Sequence, residues 1–81
     1  MTTKAVITVK FFASLREHVG QAEAEVAESI VNTVADVWSQ ATNNMALPEN
    51  TLMAVNMDYV DSSYTVKAGD EVAFFPPVTG G

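Results

Sequence analysis

One segment constrains this chain more than any other. Between Thr33 and Ala41 lies its clearest core-forming helix pattern, and strand patterns flank it on both sides. Val34, Val37, Trp38 and Ala41 recur at i, i+3, i+4 and i+7, which places four apolar side chains on one stripe. Thr33 stands where an N-cap is needed, and Asp36 three residues later completes a capping-box pattern. Trp38 lies on the apolar stripe, so it reads as core rather than as a functional aromatic. The pair Asn43-Asn44 supplies short polar side chains that tolerate the turn ending the helix. A single stripe of this kind has to cover one face of one sheet, which predicts an α+β layer arrangement.

The strands follow from alternation. Residues 5–12 are rich in β-branched side chains; Ile7, Val9 and Phe11 share one face, while Val6, Thr8, Lys10 and Phe12 share the other. The second face carries Thr and Lys and is therefore the wet one, which leaves Phe12 as a large aromatic on an open sheet face. Residues 13–19 are compatible with a short helical turn ending at Gly20. Residues 22–28 combine strand-like alternation with helix-favouring Ala and Glu. The alternation predicts a strand there, paired with the first. Residues 52–57 predict another strand, with Met53 and Val55 on one face. Asp58 to Ser63 contains turn formers around Tyr59 and Val60, and Ala68-Gly69-Asp70 is a turn. Residues 71–75 predict a last strand with Val72 and Phe74 inward and Ala73 and Phe75 outward. The order is strand, strand, helix, strand, a short extra piece, strand, consistent with a β-grasp.

Composition narrows the function. At 81 residues the chain suffices for one small domain, burying roughly 60–65% of its unfolded surface. A site shared with a partner is easier to build on so thin a core than a deep pocket of its own. Ten acidic residues against four basic ones give a net charge of −6. That disfavours nucleic acid and anionic membranes. The acidity fits either plain solubility or long-range attraction of a basic protein partner. There is no cysteine, and the one histidine, His18, reads as a solvent-facing residue; no metal site is expected. No apolar run approaches the roughly 20 residues of a membrane span, and no signal-peptide pattern is visible. A cytoplasmic location is the expectation.

The last eight residues are Phe74-Phe75-Pro76-Pro77-Val78-Thr79-Gly80-Gly81. Pro76 cannot donate to a sheet ladder and biases Phe75 to an extended backbone. Pro77 prolongs the stiff extended form. The predicted division is a folded domain over residues 1–75 and a mobile tail over 76–81, stiff at its base, reaching at most about 20 Å. Gly80 and Gly81 place no Cβ near the terminal carboxyl, so a narrow channel in a partner can admit the backbone. A carboxylate is unreactive towards nucleophiles until activated, most simply as an acyl-adenylate. The chain has no glycine-rich phosphate loop with which to perform that step itself.

This tail, the preceding Gly69-Asp70-Glu71-Val72-Ala73, the Val55-Asn56 segment and the opening Val9-Lys10-Phe11-Phe12-Ala13 with Arg16-Glu17 resemble the small subunit of molybdopterin synthase, the MoaD family. The likeness runs from about residue 6 to the end and is most specific in the Phe-Phe-Pro-Pro-Val-Thr-Gly-Gly ending. It implies a ubiquitin-like β-grasp: a mixed sheet packed on one main helix. It implies adenylation of Gly81 by an E1-like (MoeB-like) enzyme that uses ATP, then conversion to a thiocarboxylate. The tail would then enter the active site of the large (MoaE-like) subunit, where sulfur passes to cyclic pyranopterin monophosphate. The family's synthase is a heterotetramer of two small and two large subunits. On this reading the chain binds no cofactor and is not catalytic alone. Gly81 and Gly80 are the reacting end. Phe12, Tyr59 and Phe75 form a docking patch, with Pro76, Pro77, Val78 and Thr79 along the tail also contacting partners. The family often carries an aliphatic residue where Tyr59 stands. The same terminal chemistry fits two other carriers: a ThiS-like sulfur donor for thiazole synthesis, and a ubiquitin-like protein modifier. A plain interaction domain with an inert tail is the remaining alternative.

Overall fold

The computed structural model describes residues 5–77. Val78, Thr79, Gly80 and Gly81, expected to carry the reacting end, lie outside the described residues. The described residues form five strands: β1 (Val6–Phe11), β2 (Glu23–Ala27), β3 (Leu52–Val55), β4 (Asp58–Val60) and β5 (Glu71–Phe75). Two α-helices accompany them, α1 (Ser14–Val19) and α2 (Val34–Ala41), with a single 3-10 turn over Glu28–Ile30.

The sheet order is β2-β1-β5-β3-β4. The central pair β1 and β5 is parallel, and every other pairing is antiparallel. A parallel pair needs a crossover, and here the rest of the chain, including α2, supplies it. Ile7, Val9 and Phe11 of β1 and Val72 and Phe74 of β5 are buried beneath α2 with Val34, Val37 and Trp38. The alternation of β1 and β5 is thus the one expected, because a sheet covered on one face has to bury every second side chain. This topology is the ubiquitin-like β-grasp, a mixed sheet with one principal helix.

The core is aromatic at its centre. Trp38 meets Phe11 and Phe74 edge-on, with ring centroids 5.7 and 5.0 Å away, and Phe11 stacks on Phe74 at 5.8 Å. The indole N–H would be unpaired in such a setting; it donates to the Met45 carbonyl at 2.7 Å. The N-terminus of α2 is closed by a capping box. Thr33 Oγ1 accepts from the Asp36 N–H, and the Asp36 carboxylate accepts from the Thr33 and Asn32 N–H groups. Those backbone donors hold the Asp36 pKa below its ordinary value. Helix α2 stops at Ala41, and Asn43 and Asn44 then turn with φ of 59° and 67°. Helix α1 ends on Gly20, whose φ of 88° is one that a side chain would disfavour.

The structure corrects two strand ends and adds one strand. The second strand ends at Ala27 rather than at residue 28, because the chain there enters the 3-10 turn. The third ends at Val55, not at residue 57. Asp58 to Val60, read as turn formers, is instead strand β4, hydrogen-bonded to β3 through the pairs Met53–Val60, Ala54–Tyr59 and Val55–Asp58. The reversal occurs at Asn56-Met57, both left-handed with φ of 51° and 75°. A two-residue hairpin needs that geometry.

Candidate functional site

The face of the sheet opposite α2 is open, and its side chains define the site. Cross-strand register places Lys10, Ala73, Ala54 and Tyr59 in one row across β1, β5, β3 and β4. The two alanines are direct partners, so the middle of the row has almost no side-chain height. Around this floor rise Phe12, Phe75, Tyr59 and Met57, with Lys10 and Glu71 at one end. The result is an apolar groove of about 350 Å³.

The walls are aromatic. Phe12 and Phe75 stack in parallel, and Tyr59 leans on Phe75 with centroids 6.3 Å apart. These groups stay in contact with solvent: Phe12 is 40% exposed, Tyr59 72% and Met57 90%. So much contiguous apolar surface on one face of a small chain is a feature of interaction sites. The charged end is a pair, Lys10 Nζ to Glu71 at 2.9 Å. The Glu71 carboxylate accepts the lysine's hydrogen bond and holds its pKa above the usual value, so Lys10 stays a cation.

A clip of hydrogen bonds holds the groove's outer wall. Asn56 donates its N–H to the Glu71 carbonyl at 2.8 Å, and Asn56 Oδ1 accepts from the Glu71 N–H at 3.0 Å. Asn56 Nδ2 donates to Asp70 Oδ1 at 3.0 Å, and Asp70 Oδ2 accepts from the Lys67 N–H at 2.9 Å. Asp70 is buried and both its oxygens are used. The hairpin apex is thereby tied to the start of β5, which sets Met57 at the groove's edge.

Sequence reasoning placed Phe12, Tyr59 and Phe75 together as a patch, and the structure brings the three side chains onto one wall system. Pro76 follows directly, half-buried, and Pro77 is exposed. Met57, the alanine floor and the Lys10–Glu71 pair were not anticipated. The outward parity of Ala73 was legible, but its pairing with Ala54 required the strand order. Among the described residues no group of three His, Cys, Asp or Glu is placed to hold a metal. No helix among them is long and apolar enough to cross a membrane.

Fold and groove together define a ubiquitin-like β-grasp domain with an open apolar face at the end of its last strand. The chain belongs to the ThiS family, whose model matches residues 9–81. It is 41% identical to the molybdopterin synthase sulfur carrier subunit of Escherichia coli (strain K12), over 94% of this chain and the whole of that protein. A protein of the same name from Haemophilus influenzae is 36% identical over the same shares. The crystal structure of small archaeal modifier protein 1 from Haloferax volcanii superposes with a TM-score of 0.74, at 27% identity, covering 91% of this chain and 99% of that one.

Proposed function

We propose that this chain is the sulfur carrier subunit of a molybdopterin synthase, acting through the carboxyl of Gly81. The single observation that carries the reading is the continuity of groove and exit. Phe75 forms one wall of the docking face and is the last residue of β5, and the next two residues are prolines outside the strand. A partner seated on the groove is therefore seated at the root of the tail. The names of the two curated relatives support the same assignment.

On this reading the Gly81 carboxylate attacks the α-phosphorus of ATP on an E1-like enzyme, forming an acyl-adenylate and releasing pyrophosphate. Hydrosulfide-level sulfur from a donor then adds to the acyl carbon and displaces AMP, leaving a thiocarboxylate. The tail next enters the large subunit, where sulfur is transferred to cyclic pyranopterin monophosphate and water taken up at the acyl carbon returns the terminus to a carboxylate. The chain contributes an unhindered acyl end and a docking face, and the partners contribute the catalysis. Preorganisation of the face matters because one surface has to serve two partners in turn.

Deleting Gly81 tests the assignment. The truncated chain folds as before and binds the large subunit, but fails to restore molybdoenzyme activity in cells lacking the native carrier. Full restoration would contradict the proposal. The likeness to a small archaeal modifier protein favours one second reading, conjugation of Gly81 to lysines. Isopeptide-linked adducts that vanish with the Gly81 deletion would select it.

A further inference from the structure

Phe12 lines two depressions. One is the apolar groove. The other is a notch of about 240 Å³ lined by Lys10, Phe11, Phe12, Arg16, Ala22 and Glu23. In a chain with only four basic residues and a net charge of −6, two of the four converge here. Lys10 borders both depressions and is already paired with Glu71. Arg16 is exposed and makes no ion pair among the described residues.

The backbone is bent to put Arg16 in place. Phe12 donates its N–H to the Phe74 carbonyl, and the chain then reverses at Ala13, whose φ of 53° and ψ of −130° lie in a region that residues with a Cβ rarely adopt. The reversal is held by N–H donation from Leu15 to the Phe12 carbonyl and from Arg16 to the Ala13 carbonyl. Such strain persists where surrounding structure over-determines it, and it concentrates at functional sites. Here its effect is to fold α1 back so that Arg16 lines the notch beside Phe12.

We propose that the notch receives a carboxylate side chain from the protein that docks on the groove, with Arg16 as its main partner and Lys10 as the second cation. This rests on the docking reading given above. A guanidinium presents a planar fork that matches a carboxylate in two hydrogen bonds. Phe12 and Phe11 give the notch apolar lining, so a partner that covers it excludes water and strengthens the pairing. The overall acidity still draws a basic partner from a distance. The notch would set the register after contact, a role that local charge complementarity serves better than long-range attraction. Glu23 shares the notch with the same cations, so it competes with the incoming carboxylate. Its removal therefore has the sign opposite to that expected if the acidic edge itself gripped a basic surface.

Titration calorimetry of the full chain with the intact large subunit of molybdopterin synthase from the same organism separates these cases. Arg16→Glu weakens binding by about tenfold or more, Arg16→Lys by less because charge is kept and the fork lost, and Glu23→Gln tightens it a few-fold. Arg16→Gln stands in if the reversed charge disturbs folding, and thermal melts check both. An Arg16→Glu affinity equal to the original, or a weakening by Glu23→Gln, overturns the notch proposal. Phe75→Asp run alongside tells the two readings apart. If it abolishes binding while the Arg16 variants do not alter it, the notch fails and the docking face stands. If it leaves binding intact, the docking face itself is wrong.

Discussion

The rings of Phe12 and Phe75 stack with centroids 4.8 Å apart and planes only 6° from parallel, on the face of the sheet that α2 leaves open. Two residues separated by 63 positions are brought together because β1 and β5 are adjacent and parallel. Apolar area that a monomer leaves in water is area a partner can cover. The predictions below follow from that arrangement and from the contacts that hold it.

Phe75→Asp removes one wall of the groove and sets a charge in its place. Its binding to the large subunit should fall by at least about 2 kcal/mol, the range of interfacial hot spots. The side chain is only partly buried, so the variant should remain folded by circular dichroism. Calorimetry checks the affinity; unchanged binding would remove the groove from the interface.

Met57→Gly should separate stability from docking. Met57 holds a φ of 75° at the hairpin apex, where a glycine pays no Cβ penalty; relief of that strain should raise stability by up to about 1 kcal/mol. The same change deletes a lining side chain of the groove and should weaken partner binding. Urea unfolding and calorimetry on one preparation test both signs.

Asp70→Ala should be costly for a single polar contact. It strips acceptors from Asn56 Nδ2 and the Lys67 N–H at a buried position, and the loss should reach about 2–3 kcal/mol. Asp61, exposed and with its carboxylate bonded to Ser63 alone, should matter less when replaced in the same way. Chemical denaturation of the two variants side by side gives the comparison.

The capping box makes stability depend on pH. Backbone donors from Asn32 and Thr33 depress the Asp36 pKa in the folded chain relative to its ordinary 3.8. A depressed folded value means that the unfolded chain binds the proton first as pH falls. The contribution is therefore complete above that ordinary value and is lost as pH drops through the folded one. Asp36→Asn, which mimics the protonated side chain, should be less stable than the parent at neutral pH. The gap should close in acid, as thermal melts from pH 7 down to 2 would show.

Much of this molecule was legible before its coordinates. The 2-residue period of β1 and β5 assigned their inner and outer faces, and the Thr33–Asp36 pair placed the start of α2. These signals are local, since each reads a period or a cap within a few residues. Strand β4 was missed for the converse reason. Its turn is Asn56-Met57 without the glycine that usually marks a tight hairpin, and only three residues follow. The groove was half visible. Parity turned Phe12 and Phe75 outward, but their stacking, the Ala54–Ala73 floor and the Lys10–Glu71 pair depend on which strands are neighbours. Strand order is a property of the closed fold and leaves no local trace. The Asn56–Asp70 clip joins residues 14 positions apart and is equally silent in the sequence.

The most direct measurement is the intact mass of the chain after incubation with an E1-like adenylating enzyme from the same organism, ATP and a sulfur donor. The account predicts a gain equal to one oxygen-for-sulfur exchange, localised to Gly81 by fragmentation and absent when ATP is withheld. A mass that stays unchanged while the same enzyme preparation charges a known carrier would contradict it.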